Sequence, residues 1–302
     1  MENIFDFGNI ENSEKAIKKT WFEFKEALAK GLFKYEEIDK AKERTFLRVY
    51  DDLFRQNSGI EHKTVAISKL KSQMLGRGTI LKSSEEPDYE RFLPKKEFIK
   101  NDNRFSPAGV EWLYLAIGDD RNIHDCAEAE CRVNDGDRFG FCHFQFDPRY
   151  DDCKLVDLTI ADDISYEELN ATLEEYGQAQ VKKGVKIAKA LGFIPKVSID
   201  KEEFKKRLTC WGVYTYAKLL SEQIFVPLDV SDDKSITYAP FQTMAQYYIS
   251  LGYSGIVFGS TVCSNGKNIV LFDKQMAFFI GKIEDYKIIV RTWEESAEVA
   301  VC

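Results

Sequence analysis

Eight residues near the middle of the chain, 139–146, read Phe-Gly-Phe-Cys-His-Phe-Gln-Phe, so that most aromatic side chains fall on alternate positions. Successive side chains of a strand point to opposite faces, so this pattern predicts a strand with one buried face. It favours an antiparallel sheet over a doubly wound parallel one, whose strands are apolar throughout. Shorter apolar runs predict further strands at 75–81 and 112–116, and 153–158 is expected to pair with 139–146.

The first part of the chain has two helical patterns. The first is expected to run from an N-cap at Asn12 or Ser13 to a stop at Gly31, and its apolar face consists of Ile17, Trp21, Phe24 and Leu28. The second is expected to end at 57–59, and its apolar face consists of Ile38, Phe46, Val49 and Leu53. We expect an antiparallel helical pair that packs on the rest of the chain or on another subunit.

The composition pattern changes after this helical pair. We place a domain boundary near residue 70, with an all-α N-terminal domain at 1–70 and a second domain at 71–302. Within the second domain, 166–191, 200–224 and 242–251 are helical patterns, whereas 255–258 and 268–272 are strand patterns. The mixture predicts an α+β fold.

Charge and hydropathy exclude some classes of protein. The net charge of −8 and the pI near 5.2 argue against broad nucleic-acid binding, which depends on clustered Lys and Arg. No apolar run approaches the roughly 20 residues of a membrane span, and the N-terminus lacks the form of a signal peptide. We expect a cytoplasmic protein without a membrane partner.

Cysteine, histidine and glycine patterns give no cofactor site. The seven cysteines include no Cys-x-x-Cys pair and no histidine lies at zinc-ligand spacing, so we expect free thiols and no metal. Cys131 is interpreted as a small apolar filler and His143 as a structural residue. Neither a Walker motif nor Gly-x-Gly-x-x-Gly is present, which disfavours a P-loop or Rossmann nucleotide site.

The stretch 103–132 gathers three side chains suited to a nucleotide pocket. Arg104 precedes a Ser-Pro-Ala-Gly turn, and Tyr114 lies in the predicted strand at 112–116. A polar loop is expected after that strand, followed by Glu130 among small and apolar neighbours. The stretch therefore offers a fixed cation, an aromatic ring and a carboxylate.

These motifs resemble the RES-domain family, whose members degrade NAD and often serve as toxins. The first block is Arg-x-Ser-Pro-x-Gly, Leu-Tyr-Leu-Ala and Ala-Glu-x-Arg, all within 104–132. The second block lies at 238–272 and contains Tyr-Ala-Pro-Phe-Gln, Gly-Tyr-Ser-Gly-Ile-Val-Phe-Gly-Ser and Asn-Ile-Val-Leu-Phe. The resemblance spans roughly Gly76 to Phe272. Ser106, Phe258 and the pair Ser260-Thr261 depart mildly from the family pattern.

The resemblance implies a fold and an activity. It implies an ADP-ribosyltransferase-like core of small antiparallel or mixed sheets flanked by helices. It also implies an NAD phosphorylase, with NAD as substrate, phosphate as co-substrate and no cofactor. The residues that match the family's site are Glu130, Arg104 and Ser260 as catalytic residues, and Arg77, Tyr114 and Gln242 as substrate-binding residues.

The chemistry of NAD cleavage agrees with these residue types. Breaking the nicotinamide N-glycosidic bond develops an oxocarbenium-like ribose, which a carboxylate such as Glu130 stabilises. An arginine fork at Arg104, helped by Arg77, suits a pyrophosphate or an acceptor phosphate. Tyr114 is expected to stack on the nicotinamide or ribose, and Ser260 to hydrogen-bond the ribose or the attacking anion.

Several alternatives stay open at this level. Water or a protein side chain could replace phosphate as acceptor, as in NAD glycohydrolases and ADP-ribosyltransferases, and Glu128 competes with Glu130 because the preceding loop looks long. The chain could instead be a degenerate module that binds NAD or ADP-ribose. A remote hypothesis assigns Arg55 and His62 to a HEPN-type ribonuclease in the helical part. The resemblance further implies an Xre-type antitoxin as partner and a homo-oligomer.

Overall fold

The computed structural model describes residues 5–6, 9–55, 63–191, 200–224 and 233–289. Within these ranges the strands are β1 (Thr64–Ala66), β2 (Met74–Leu81), β3 (Leu113–Gly118), β4 (Arg138–Phe146), β5 (Lys154–Asp157), β6 (Gly255–Gly259), β7 (Lys267–Leu271) and β8 (Ala277–Lys287). The helices are α1 (Ile10–Ala29), α2 (Ile38–Lys42), α3 (Thr45–Arg55), α4 (Ile67–Leu70), α5 (Asp120–Cys131), α6 (Tyr166–Leu191), α7 (Lys201–Ile224) and α8 (Lys234–Ser250).

The eight strands form one sheet in the order β1-β5-β6-β7-β3-β2-β4-β8. Only β5 and β6 run parallel; the other neighbours are antiparallel. The chain is therefore an α+β protein with a mixed, mainly antiparallel sheet, as the alternation at 139–146 indicated. The predicted pairing of 153–158 with that strand is wrong, because β2 and β8 occupy both edges of β4 and β5 pairs with β1 and β6.

Two glycines allow β2 to approach the aromatic side chains of β4 closely. A Cβ added at Gly76 would overlap the ring of Phe141, and one added at Gly78 would overlap the ring of Phe139. Both rings are fully buried, so they could move aside only by disturbing the core. The aromatic rings of β4 therefore fill the space that side chains at positions 76 and 78 of β2 would occupy, on either side of Arg77.

The first predicted helix forms, with a different N-cap. Asn9 caps α1 by accepting a hydrogen bond from the backbone N–H of Asn12 at 3.1 Å, whereas the Ser13 hydroxyl accepts from the Asp6 N–H at 2.7 Å. The predicted stop is confirmed, since Gly31 follows the helix with φ 69°. The four residues of the predicted apolar face, Ile17, Trp21, Phe24 and Leu28, are all buried.

The second helical pattern is divided into α2 and α3, which ends at Arg55. Its predicted end at 57–59 lies outside the described residues. Several contacts attach these N-terminal helices to α8, including a pair of rings and a pair of hydroxyls. The rings of Trp21 and Phe241 have centroids 5.5 Å apart, and the hydroxyls of Tyr50 and Tyr248 lie 2.8 Å apart. Residues on both sides of position 70 therefore share one hydrophobic core, while the domain boundary stays a prediction.

The later helices match the sequence patterns, except that α8 begins at Lys234 and includes Pro240. The predicted helix at 242–251 was therefore too short. A helix prediction that begins after Pro240 misses the first part of α8. Sequence rules exclude proline from a helix interior because it lacks the N–H that the helix requires there. No helix in the described part of the chain combines the length and apolar character needed to span a bilayer.

Candidate active site

Glu130 lies in the last turn of α5, in a segment expected to follow a loop. The loop prediction is wrong: the Asp119 side chain accepts from the Asn122 N–H at 2.8 Å and starts a helix there. Ile123 is buried on the inner face of this helix. A carboxylate at a helix C-terminus faces the negative end of the macrodipole, so Glu130 needs hydrogen-bond donors from outside the helix.

Two such donors reach Glu130 from distant parts of the chain. The Ser260 hydroxyl donates to Glu130 Oε1 at 2.9 Å, and the Asn268 side-chain amide donates to the same oxygen at 2.6 Å. Among the residues that the structure describes, none donates a hydrogen bond to Oε2. Glu130 is exposed, so a ligand can reach its carboxylate.

The backbone holds Ser260 firmly in place. Ser260 follows β6, is only 3% exposed, and its N–H donates to the Gly266 carbonyl at 2.8 Å. Its Oγ accepts from the N–H groups of Val262 at 3.3 Å and Cys263 at 3.1 Å. Because these two donors occupy the lone-pair side of Oγ, the hydroxyl proton is left for Glu130.

Glu128 takes a different contact from Glu130. The Tyr286 hydroxyl, on β8, donates to Glu128 Oε1 at 2.8 Å. Residues two apart on a helix point in nearly opposite directions, so the two carboxylates do not share a site. Of the two, Glu130 is the one that contacts Ser260, and which of them is catalytic stays a prediction.

Arg104 lies among aromatic rings and near the carboxylate. Its guanidinium carbon is 5.3 Å from the ring centroid of Tyr238 and 5.5 Å from that of Phe241. Burial lowers the pKa of Arg104, and the negative charge of Glu130 is among the influences that oppose that shift. Arg104 therefore belongs to the same electrostatic environment as Glu130.

Tyr114 is held by a polar contact with the turn that follows Arg104. Its hydroxyl lies 3.0 Å from the Ser106 hydroxyl, within hydrogen-bonding distance. Burial is the main cause that raises the pKa of Tyr114, so the phenol stays protonated. A neutral phenol can donate a hydrogen bond or stack on a ligand, but it cannot act as a base at neutral pH.

Arg77 is a half-buried cation with an unused donor. Its Nη1 atom is buried and has no hydrogen-bond partner. Burial lowers the pKa of Arg77 to about 10, so the side chain is still charged near neutral pH. The positive charge of Arg91 adds to that shift. An unpaired guanidinium N–H is costly to bury, which is a reason to expect an anionic ligand there.

Gln242 has a supporting position. It is 2% exposed, and its amide donates to the Asn103 carbonyl at 3.3 Å, immediately before Arg104. This contact fixes the segment that carries the arginine. Direct substrate binding by Gln242 stays a prediction, while its observed contact is that of a positioning residue.

The thiols around Glu130 are poor nucleophiles. Cys126 donates to Asn268 Oδ1 at 3.3 Å, and burial raises its pKa to about 12. Burial likewise raises the pKa of Cys131 to about 11. Both thiols are therefore protonated at neutral pH, which argues against covalent cysteine catalysis at this site. The six cysteines in the described ranges are all free, as predicted.

A cleft of about 700 Å³ opens beside the Ser260 loop. The loop 259–267 forms one wall, and Thr159, Asp162, Lys218 and Glu222 contribute to the others. The Ser221 hydroxyl donates to Asp162 at 2.6 Å, and burial is the main cause that raises the pKa of Asp162. The volume falls within the range of small-molecule sites.

Sequence reasoning missed two residues of this arrangement and one contact. Asn268 lies in the motif at 268–272 without a predicted role, although a buried amide beside the apolar residues of that strand is a recognisable signal. Ser106 is predicted only as a departure from the family pattern. The partner of His143, which the sequence did not identify, is Glu284, at 3.1 Å.

The remote ribonuclease hypothesis gains no geometric support. Arg55 forms an ion pair with Asp51 at 2.5 Å, one helical turn away. His62, its proposed partner, lies outside the described residues. The pair stays a prediction from sequence alone.

Comparisons with protein-family models, with curated proteins and with solved structures found no match.

Proposed function

We propose that this chain is an NAD-degrading enzyme that cleaves the nicotinamide N-glycosidic bond with phosphate as acceptor. The observation that supports this most directly is the contact between Glu130 and Ser260 at 2.9 Å. The two residues belong to separate motifs and lie 130 positions apart in the chain. Arg104, within electrostatic range of Glu130, adds the third element.

The proposal includes a finer description of the fold. We propose that the mixed sheet and its flanking helices form an ADP-ribosyltransferase-like core, to which α1–α3 are an addition. Glu130 and Ser260 would then flank the nicotinamide ribose. The cleft beside Ser260 would receive part of the dinucleotide.

Each residue has one role in the proposed reaction. A phosphate oxygen attacks C1′ of the nicotinamide ribose, the C1′–N bond breaks, and nicotinamide leaves with the electron pair as a neutral group. Glu130 stabilises the positive charge that develops on the ribose or holds a ribose hydroxyl through Oε2. Arg104 and Arg77 bind the phosphate groups, and Tyr114 stacks on the base or ribose.

Product analysis tests the reaction. Purified full-length protein is incubated with NAD, with and without inorganic phosphate, and the products are identified by mass. We expect nicotinamide and ADP-ribose phosphate only when phosphate is present. ADP-ribose in both samples would assign water as the acceptor and reject the phosphorylase, and intact NAD in both would reject the enzyme.

A matched pair of variants tests the site. Glu130→Gln keeps the shape but removes the charge, so we expect nicotinamide release to fall by about 100-fold or more. Glu128→Gln lies two residues away on the other side of the helix and is expected to retain activity. Undiminished turnover by Glu130→Gln would contradict the assignment.

A specific observation favours one second candidate, a module that binds NAD or ADP-ribose without turnover. Glu130 Oε1 is already occupied by Ser260 and Asn268, which is also what a purely structural carboxylate would show. Calorimetric binding of NAD together with an absence of nicotinamide release would favour this function. Binding lost in Arg104→Met would locate the ligand in the same site.

We also propose that the activity is toxic to the cell that contains it and is neutralised by an Xre-type partner protein, with a homo-oligomer as the active form. Expression of the chain should deplete cellular NAD, and Glu130→Gln should not. Co-expressed candidate partners can be tested by co-purification with the inactive variant, and the oligomeric state by light scattering.

A further inference from the structure

Three side chains from separate elements converge on the outer part of the sheet, away from the contacts made by Glu130. His124 lies on α5, His143 on β4 and Glu284 on β8. One ligand atom from each lies within 4.8 Å of the other two. Two imidazoles and one carboxylate are a ligand set that zinc uses in proteins.

The backbone brings Glu284 to this position through an irregularity in the sheet. The pairing of β4 with β8 shifts between Phe141 and His143, where Phe141 lies opposite Glu284 and His143 lies opposite Ile280. Gly281, within the shifted segment, has φ 71°, a conformation that favours glycine. Such bulges redirect side chains, and here the bulge brings Glu284 next to His143.

The His124 ring is held in one orientation. Its Nδ1 lies 2.7 Å from the carbonyl oxygen of Asp120, which can only accept, so Nδ1 carries the hydrogen. The ring also stacks on Phe141 with centroids 3.8 Å apart. In metal sites a ligating histidine usually donates its other ring N–H in this way, which fixes the tautomer.

The same orientation directs the other ring nitrogen of His124 at the carboxylate. Its Nε2 faces Glu284 Oε2 at 3.2 Å. A metal ion between these two atoms would be coordinated by both of them. His143 Nε2 faces the other oxygen, Oε1, at 3.1 Å, so one ion could contact all three side chains.

We infer that His124, His143 and Glu284 form a binding site for a divalent transition-metal ion, with Zn²⁺ as the preferred occupant. Ligand atoms about 2.0–2.2 Å from a tetrahedral ion are about 3.3–3.6 Å apart, so the observed nitrogen–oxygen separations need to widen by only a few tenths of an ångström. Asp120 Oδ1, 3.8 Å from His143 Nε2, is a candidate fourth ligand, and water is the alternative.

The ion would link β8, at the edge of the sheet, to β4 and to α5, the helix that carries Glu130. The side chains of His124 and His143 are about one-fifth exposed (21% and 23%), so an ion can enter from solvent. The site is independent of the proposed NAD chemistry. A bound ion would hold β8, β4 and α5 together, so metal availability would influence the position of α5.

Metal uptake by the full chain tests the inference. The chelator-treated protein is dialysed against Zn²⁺, Co²⁺ or Mg²⁺ near neutral pH, and bound metal, Co²⁺ absorption and the midpoint of thermal unfolding are measured. We expect one equivalent of Zn²⁺ or Co²⁺, a Co²⁺ ligand-field spectrum without thiolate charge transfer, and a higher midpoint. Mg²⁺ should produce none of these changes.

Variants locate the ion. His124→Gln, His143→Gln and Glu284→Gln should each lower Zn²⁺ affinity by more than the roughly 10-fold that loss of a supporting contact costs. Asp125→Asn, an exposed carboxylate beside His124, is the matched control and should bind as the wild type. Comparing unfolding midpoints with metal and with chelator for each variant separates lost binding from lost folding.

Three results would overturn the inference. The first is no retained Zn²⁺ in the wild type, and the second is wild-type affinity in Glu284→Gln. The third is a thiolate charge-transfer band, which would assign the ion to cysteines.

Discussion

The contact between Asn268 and Glu130 can be tested by reversing the polarity of one partner. Asn268→Asp is nearly isosteric, but it replaces the amide that donates to Glu130 Oε1 at 2.6 Å with a carboxylate. Near neutral pH the variant has two negative charges where the wild type has a charge-assisted hydrogen bond. Asn268 is mostly buried on β7, so the new side chain cannot move far away.

The magnitude follows from the distance. Two unit charges 2.6 Å apart repel by about 6 kcal/mol at an effective dielectric constant of about 20 and by about 1.6 kcal/mol in water. Glu130 is exposed, so water screens the pair and the lower part of that range applies. Loss of the hydrogen bond adds about 1.5–3 kcal/mol. We expect the free energy of unfolding to fall by about 3–5 kcal/mol, compared with about 1.5–3 kcal/mol for Asn268→Ala.

The additional loss of unfolding free energy in Asn268→Asp, compared with Asn268→Ala, should depend on pH. Repulsion raises the folded-state pKa of the carboxyl pair above the unfolded values of about 3.9 and 4.3. A raised folded-state pKa for an acid means that the destabilisation is complete above that pKa. It disappears as the pH falls below the unfolded values, where both groups are protonated in both states. The two variants should therefore approach each other in stability as the pH is lowered.

Urea unfolding of both variants near pH 7 and near pH 4.5 measures these differences. Adding Glu130→Gln to Asn268→Asp removes one charge and should recover most of the excess cost, which a double-mutant cycle quantifies. Equal unfolding free energies for the two Asn268 variants at both pH values would show that Glu130 is not in contact, and the site described above would be wrong.

Three further predictions follow from buried polar groups. Tyr50→Phe and Tyr248→Phe should each cost about 1–2 kcal/mol by stranding the other hydroxyl, and the double variant should cost less than the sum in chemical denaturation. Arg77→Met should leave the free energy of unfolding unchanged or higher, because it removes a buried donor without a partner, yet it should raise the KM for NAD; a loss of stability without a change in KM would contradict this. Alkylation near pH 8 should modify the exposed Cys210 well before the buried Cys126, whose pKa is about 12. Peptide mapping that finds Cys126 modified first would contradict the burial of Cys126.

The sequence by itself determined much of the local structure. Alternation at 139–146 predicted β4, and helical spacing in 17–28 predicted the buried face of α1, because these periods are properties of the backbone. The same local rules failed where a signal was weak. A loop was expected where the Asp119 cap begins α5, and Pro240 argued against a helix where the first half of α8 lies.

The sequence also named residues that the fold brings together, since Glu130 and Ser260 came from separate motifs and are hydrogen-bonded. Only the resemblance of Ala-Glu-x-Arg favoured Glu130 over Glu128, because two neighbouring carboxylates have the same chemistry. Only the direction of each side chain from α5 separates them, towards Tyr286 in one case and Ser260 in the other.

Tertiary structure alone decided which strands are neighbours and which distant groups meet. The pairing of β5 with β1 and β6, the amide of Asn268 on Glu130, and the approach of Glu284 to His124 all join residues far apart in the chain. Such contacts leave no periodic signal in the sequence, because they depend on the summed packing of the whole sheet and its helices. A single sequence records which side chains are available, and the fold determines their distances.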